Sequence, residues 1–172
     1  LMGIEMITYM IETDVNRWLP QKKPFQFIDK VVEMKFPQLG KKRKDINPKD
    51  LIGSEVVCTF FTDENLDFFK GHFPDNPTLP GVIQIEMMAQ ACSFTMRRKW
   101  NYEEFQKLGT AIVGVDNIRF RTPVGPNETL TIFTKYVKVR NPLGVFECRI
   151  ENEQGDIVAE GTLKSIMIDK GK

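Results

Sequence analysis

A base and an acid stand close together in this chain. The only histidine, His72, opens the run His72-Phe73-Pro74-Asp75-Asn76-Pro77-Thr78-Leu79-Pro80-Gly81, and Glu86 follows inside an apolar segment. Proline at 74, 77 and 80 forbids regular helix across the run, because each removes a backbone donor and biases the residue before it toward extended backbone. His72 therefore sits on a stiff, non-helical lead-in. From Gly81 onward to about position 96 the chain reads Val-Ile-Gln-Ile-Glu-Met-Met-Ala-Gln-Ala-Cys-Ser-Phe-Thr-Met. These are mostly good helix formers, apolar on nearly every side, and they predict a helix buried in a core. A carboxyl group in such a helix is desolvated, which favours the protonated form that a general acid needs.

On that helix residues 86, 90 and 93 share one face, so Glu86, Gln90 and Ser93 draw a polar line along an apolar rod, whereas Gln84 points nearly opposite. The plain reading of the line is a hydrogen-bond network tying the helix to strands, and the plain reading of His72 is a structural histidine. Either way the buried polar groups need partners. The start of the helix adds a third part. No Ser, Thr, Asp or Asn immediately precedes Gly81, so the first amides lack a side-chain cap and are open to a ligand. Glycine there permits close approach, and the amides with the helix dipole can polarise a carbonyl oxygen. Base, acid and oxyanion donor together suit removal of a proton beside a carbonyl followed by loss of a hydroxyl.

The elements that must hold these groups can be read around them. Residues 4–18 place apolar side chains at helical spacing (Ile4, Ile7, Met10 or Ile11, Val15, Trp18) and predict a short leading helix closed by Leu19-Pro20. Residues 24–36 read as a strand, 37–50 as an exposed charged loop, 54–62 as a strand and 63–69 as a helical turn ending just before His72. Beyond the central helix, 110–121, 128–140, 145–151 and 157–168 read as long strands. The breaks between them are short, which favours consecutive antiparallel pairing in a meander. A long apolar helix ahead of such strands is buried only if the sheet wraps around it, an α+β architecture.

With 172 residues the chain suits a single domain over residues 1–172. A net charge of +1 gives no global pull toward nucleic acid or an acidic membrane. Cys58, Cys92 and Cys148 are far apart and set among apolar neighbours, as small core residues in a reducing compartment would be. No stretch is long and apolar enough to span a bilayer, and a cytoplasmic protein is expected. Phosphate loops, metal-ligand spacings and a Gly-x-Ser-x-Gly elbow are absent, so no metal site is expected.

Five blocks, in order, carry a family resemblance: Leu19-Pro20 with Pro24-Phe25 and Ile28-Asp29-Lys30-Val31; Phe69-Lys70-Gly71-His72-Phe73-Pro74; Leu79-Pro80-Gly81-Val82; Ile85-Glu86-Met87-Met88-Ala89-Gln90-Ala91; and Val115-Asp116-Asn117-Ile118-Arg119-Phe120-Arg121-Thr122-Pro123-Val124. Through them the chain resembles the β-hydroxyacyl-acyl-carrier-protein dehydratases. The resemblance implies a hot-dog fold, a long antiparallel sheet wrapped around a central helix. It implies a homodimer, with a trimer of dimers as a further assembly, in which each site takes His72 from one subunit and Glu86 from the other. His72 would remove the α-proton and Glu86 would protonate the leaving hydroxyl. Gly81 would bind the thioester carbonyl, Gln90 would hold the glutamate, and Val82, Phe120 and Pro123 would line the substrate site. The partner implied is acyl carrier protein, with no cofactor beyond the phosphopantetheine arm that carries the substrate. Glu at 86, where the relative that also isomerises its product has Asp, favours a plain dehydratase.

The chain departs from the family pattern at Gln21-Lys22-Lys23, where His-Arg-Tyr is usual, at Leu79, where Met or Phe is common, and in a longer loop carrying Lys41-Lys42-Arg43-Lys44. These differences point to a specialised acyl or polyketide pathway as well as to fatty acid synthesis. The basic clusters at 41–44 and at Arg97-Arg98-Lys99 read as a solvated loop and a helix C-terminus, with carrier docking as the alternative for each. Two other functions fit the same fold, an acyl thioesterase and a non-catalytic acyl-binding partner.

Overall fold

The computed structural model describes residues 3–10 and 12–170. Its centre is α3 (Gly81–Ser93), prolonged by a 3-10 turn over Phe94–Met96. Around it runs a seven-stranded antiparallel sheet: β1 (Ile4–Met10), β2 (Lys30–Pro37), β3 (Glu55–Phe61), β4 (Leu108–Phe120), β5 (Thr129–Arg140), β6 (Leu143–Glu151) and β7 (Ile157–Asp169). The spatial order is β1-β2-β3-β5-β6-β7-β4. Along β3, β5 and β6 buried residues alternate with more exposed ones, so one face of each strand is turned to the helix. Met87, Met88, Ala91 and Phe94 of the helix are fully buried, as are Cys58, Leu130, Ile132 and Ile150 of the strands. The helix wrapped by antiparallel strands is the expected α+β arrangement. No described helix is long and apolar enough to cross a membrane.

Four expectations change. The helix expected over 4–18 is a strand followed by a short helix: β1 pairs with β2 from Ile4 opposite Pro37 to Met10 opposite Val31, and α1 (Glu12–Trp18) begins only afterward. Ile-Glu-Met-Ile-Thr-Tyr-Met suits a strand, and the outer edge of β2 offers backbone groups to pair. Ile11 lies outside the described residues. The strand expected over 24–36 starts only at Lys30, because the backbone ahead of it is used by the central helix: Phe27 N donates to Gln90 Oε1 at 2.8 Å and Phe25 O accepts from Gln90 Nε2 at 2.9 Å.

The charged loop over 37–50 is also more ordered than its composition suggests. It holds two 3-10 turns, Arg43–Asp45 and Pro48–Leu51, and buries Ile46 and Leu51 completely. Lys41 pairs with Asp50 and Arg43 with Glu104, so the basic cluster is partly neutralised. The second cluster directly follows the turn that ends the helix, at the expected C-terminus, and two of its side chains also meet rings. Arg97 lies over the Tyr102 ring at 4.2 Å, and Lys99 over Trp100 at 4.4 Å.

The last difference is topological. β5, β6 and β7 form the expected meander, but β4 pairs with β7, and β5 pairs with β3. The short connection after β4 is not a hairpin because its backbone is engaged elsewhere. Val124 O accepts from Leu79 N at 2.8 Å, and Asn127 N donates to Thr62 O. It thereby joins the end of β3 to the lead-in of α3, which is where His72 lies. A short helix not anticipated, α4 (Tyr102–Gln106), precedes β4, and α2 (Asp67–Gly71) ends directly before the histidine.

Candidate active site

Two elements and a tight loop fix His72. It caps α2, its amide donating to Phe68 O at 2.9 Å, and its carbonyl accepts from Thr78 N at 2.7 Å, closing the proline-rich run on itself. The ring Nδ1 lies 2.8 Å from Thr78 O. A carbonyl only accepts, so Nδ1 carries the proton, and in the neutral ring Nε2 keeps its lone pair. The ring is half-buried and stacks on Phe73 at 4.1 Å. The arrangement presents a base of defined tautomer.

Glu86 lies on the second turn of α3. It is half-buried in the single chain rather than sealed in the core, because the polar line faces the 18–27 segment and a cavity instead of the sheet. Gln90 Nε2 at 2.9 Å and Gln21 Nε2 at 3.2 Å both donate to Glu86 Oε1. Among the described residues Oε2 has no hydrogen-bond partner, which leaves it open to a ligand. Gln90 is fully spent, since the same side chain holds Phe25 O and Phe27 N. Ser93 continues the line, accepting from Trp18 Nε1 at 3.2 Å and donating to Gln90 O at 2.7 Å. The network thus ties the helix to the end of α1 and the segment after it, not to strands. Gln84, on the opposite face, is buried and reaches Leu79 O at 3.4 Å.

Beside Glu86 opens a cavity of about 310 Å³, lined by Gln21, Ala89, Cys92, Met96 and Phe146 among others. Its walls are mainly apolar, a shape and chemistry suited to an acyl chain. His72 does not line it, and no hydrogen bond joins His72 to Glu86.

At the helix start, Pro80 is extended and offers no side-chain cap, as expected. Gly81 and Phe120 meet: a Cβ added at 81 would lie 2.8 Å from Phe120 Cζ. A side chain at 81 would have to displace that ring. Val82, Phe120 and Phe73 are exposed apolar side chains around this end of the helix, at 72%, 51% and 55%. Pro123 is exposed on the connection whose next residue, Val124, anchors Leu79. One chain therefore holds two groups, the Gly81–Phe120 contact and the Glu86–Gln90 pair. Two participants escaped the sequence reading. Thr78 sets the tautomer through its carbonyl, which side-chain chemistry does not signal, and Gln21 binds Glu86 from a position notable only as a departure from the family pattern.

The family model described as ApeI-like, ApeI dehydratase, matches residues 48–162. The 3-hydroxyacyl-[acyl-carrier-protein] dehydratase FabZ of Campylobacter lari is 33% identical over 158 residues, covering 91% of this chain and 96% of the relative. FabZ of Coxiella burnetii is 36% identical over 135 residues, covering 78% and 84%. Among solved structures, the dehydratase heterocomplex ApeI:P from Xenorhabdus doucetiae superposes with a TM-score of 0.67 at 21% identity, covering 91% of this chain and 92% of that one. The fluoroacetyl-CoA thioesterase FlK superposes at 0.57 with 13% identity, covering 70% and 89%. At such identities the structural likeness concerns the fold, which is the hot-dog fold. By the residues matched and the identity across most of its length, the chain belongs to the ApeI-like and FabZ family of 3-hydroxyacyl-[acyl-carrier-protein] dehydratases.

Proposed function

We propose that this protein dehydrates β-hydroxyacyl groups carried on acyl carrier protein to trans-2-enoyl thioesters, with His72 as base and Glu86 as acid. The observation that carries the reading is the complementary state of the two groups: His72 has Nδ1 tied to Thr78 O and Nε2 open, while Glu86 has Oε1 tied to two amides and Oε2 open. His72 Nε2 takes the α-proton, the freed pair forms the Cα=Cβ bond, and the Cβ–O bond breaks as Glu86 Oε2 delivers its proton to the hydroxyl, which leaves as water. The amide at Gly81, on the positive end of α3, receives the charge that develops on the thioester oxygen. Val82, Phe120 and Pro123 flank the thioester, and the chain occupies the cavity beside Glu86. No other group is called on, and the phosphopantetheine arm enters as part of the substrate.

The site is completed by a second copy. Within one chain Glu86 lines the cavity and His72 does not. β4 lies at the sheet edge with Val113, Val115 and Phe120 exposed. A second β4 paired along that edge would continue the sheet and cover those side chains. A cytoplasmic setting, in keeping with three free buried thiols, belongs to the same reading.

Enoyl absorbance from hydroxyacyl carrier protein tests the reaction, and release of free thiol would mark a thioesterase instead. His72→Ala and Glu86→Gln are each expected to lower turnover by about a hundredfold to ten-thousandfold while the protein stays folded. Mixing the two inactive variants should restore one site per mixed dimer. Near-wild-type turnover in either variant would remove that residue from the mechanism, and failure to complement after confirmed subunit exchange would place both groups in one chain.

A further inference from the structure

Of the two glutamine amides on Glu86, only one is satisfied. Gln90 uses its oxygen on Phe27 N and its nitrogen on Phe25 O and Glu86. Gln21 gives Nε2 to Glu86 Oε1, and its own Oε1 is buried without a hydrogen-bond partner. The orientation of that amide follows from its neighbour, because a carboxylate oxygen accepts and so faces the N–H end. Among the described residues two more buried side-chain atoms lack partners, Gln84 Oε1 and Trp100 Nε1, but neither residue lines the cavity beside Glu86, whereas Gln21 does. A buried acceptor left unpaired is unfavourable. A group that enters the adjoining cavity with a donor would supply the missing partner.

We propose that Gln21 reads the β-hydroxyl of the substrate: its Nε2 holds Glu86, and its Oε1 accepts the hydroxyl's own O–H. The inference rests on the dehydratase reading. A β-hydroxyl poised to leave must take Glu86's proton on an oxygen lone pair, so its own hydrogen points elsewhere and needs an acceptor. Gln21 Oε1 supplies that acceptor on the far side of the amide that positions the acid. The last torsion of glutamine is soft, which lets the amide tilt toward the entering hydroxyl. During the reaction the hydroxyl's original hydrogen stays on its oxygen and departs in the water, so Gln21 exchanges no proton. The substrate class follows: chains with a hydroxyl at Cβ are favoured over saturated or enoyl chains of the same length. That the residue is Gln at this position, where the family usually has His, makes the arrangement a property of this chain.

Gln21→Met removes both amide functions while keeping length and volume. Turnover and KM for hydroxyacyl carrier protein should be measured beside the Kd for saturated acyl carrier protein of equal length. The expected result is a loss of about ten- to a hundredfold in kcat/KM for the hydroxyacyl substrate, with saturated-chain affinity unchanged within about twofold and an unfolding midpoint that holds or rises. Gln21→His, which keeps one donor and one acceptor, should restore at least half of the loss on a logarithmic scale. Equal losses for both ligands, a midpoint that falls in step with activity, or wild-type kinetics in Gln21→Met would overturn the inference. If Gln21→Met does not fold, Gln21→Asn, which retracts the amide by one methylene, is read by the same criteria. Absence of enoyl formation by the wild-type protein would instead bring down the dehydratase reading itself.

Discussion

A single side chain holds both the acid and the segment packed over it. Gln90 is 1% exposed and makes hydrogen bonds to Phe25 O, Phe27 N and Glu86. In Gln90→Leu both Phe25 O and Phe27 N lose their partner and Glu86 is left with Gln21 alone, and the expected cost is roughly 1–3 kcal/mol for the unsatisfied groups. If Gln90 positions Glu86, turnover per folded molecule should fall as well. Specific activity measured beside the unfolding midpoint separates the roles: lost stability with unchanged specific activity would make Gln90 a structural residue only. The same scale accounts for the histidine. Its protonation pattern is set by one carbonyl, Thr78 O, and replacing Thr78 by Ser or Val leaves that carbonyl in place.

Short elements at the end of the helix brace the site from behind. Trp18 of α1 stacks on Phe105 of α4 at 4.0 Å and donates to Ser93, the last residue of the polar line. α4 is short enough that its cap matters: Asn101 Oδ1 accepts from Glu104 N at 2.8 Å, and Glu104 Oε2 accepts from Asn101 N at 2.9 Å, a reciprocal capping box. Asn101→Ala should cost about 0.5–2 kcal/mol by chemical denaturation. Because Phe105 also lines the cavity beside Glu86, the loss should be accompanied by a higher KM for acyl substrates. An unchanged midpoint would show that Trp18 packing alone holds α4. The motif Asn-x-x-Glu was present in the sequence, yet five helical residues leave no apolar periodicity to draw attention to it.

At the scale of the whole molecule the β4 edge of the sheet governs assembly in the proposed reading. β4 carries a bulge between Ile112 and Gly114, and Val113, the extra residue, is 52% exposed. Long, apolar edges are uncommon in chains that stay monomeric. Val113→Lys should leave the monomer fold intact, since the side chain has little to lose in a single chain. In solution it should shift the protein toward monomer by light scattering and lower specific activity in proportion. An active monomer would contradict a site shared between subunits, and an unchanged dimer would move the interface away from this edge.

Much of the architecture is local and therefore visible in the sequence. Three prolines and one glycine determine that His72 sits on an irregular lead-in and that the helix starts at 81. The long apolar run determines that this helix is central, and the i, i+4, i+7 spacing determines that Glu86, Gln90 and Ser93 share a face. What the sequence could not decide was which surface each face meets. The polar line turned to the Trp18–Phe27 segment and a cavity rather than to strands, so Glu86 is half-buried instead of sealed. β4 went to β7 rather than β5, because the backbone of the connection after it is bound by Leu79 and Thr62, residues far away in sequence. Residues 4–10 became a strand because a neighbouring edge was available to pair them, which outweighs a helical spacing in a short segment. The partner of Gln21 Nε2, the orphaned Gln21 Oε1 and the tautomer of His72 all depend on atoms brought together across the fold. Periodicity and propensity act over a few residues, whereas hydrogen-bond satisfaction is settled by the whole chain at once, and in this protein the chemistry lies in the latter.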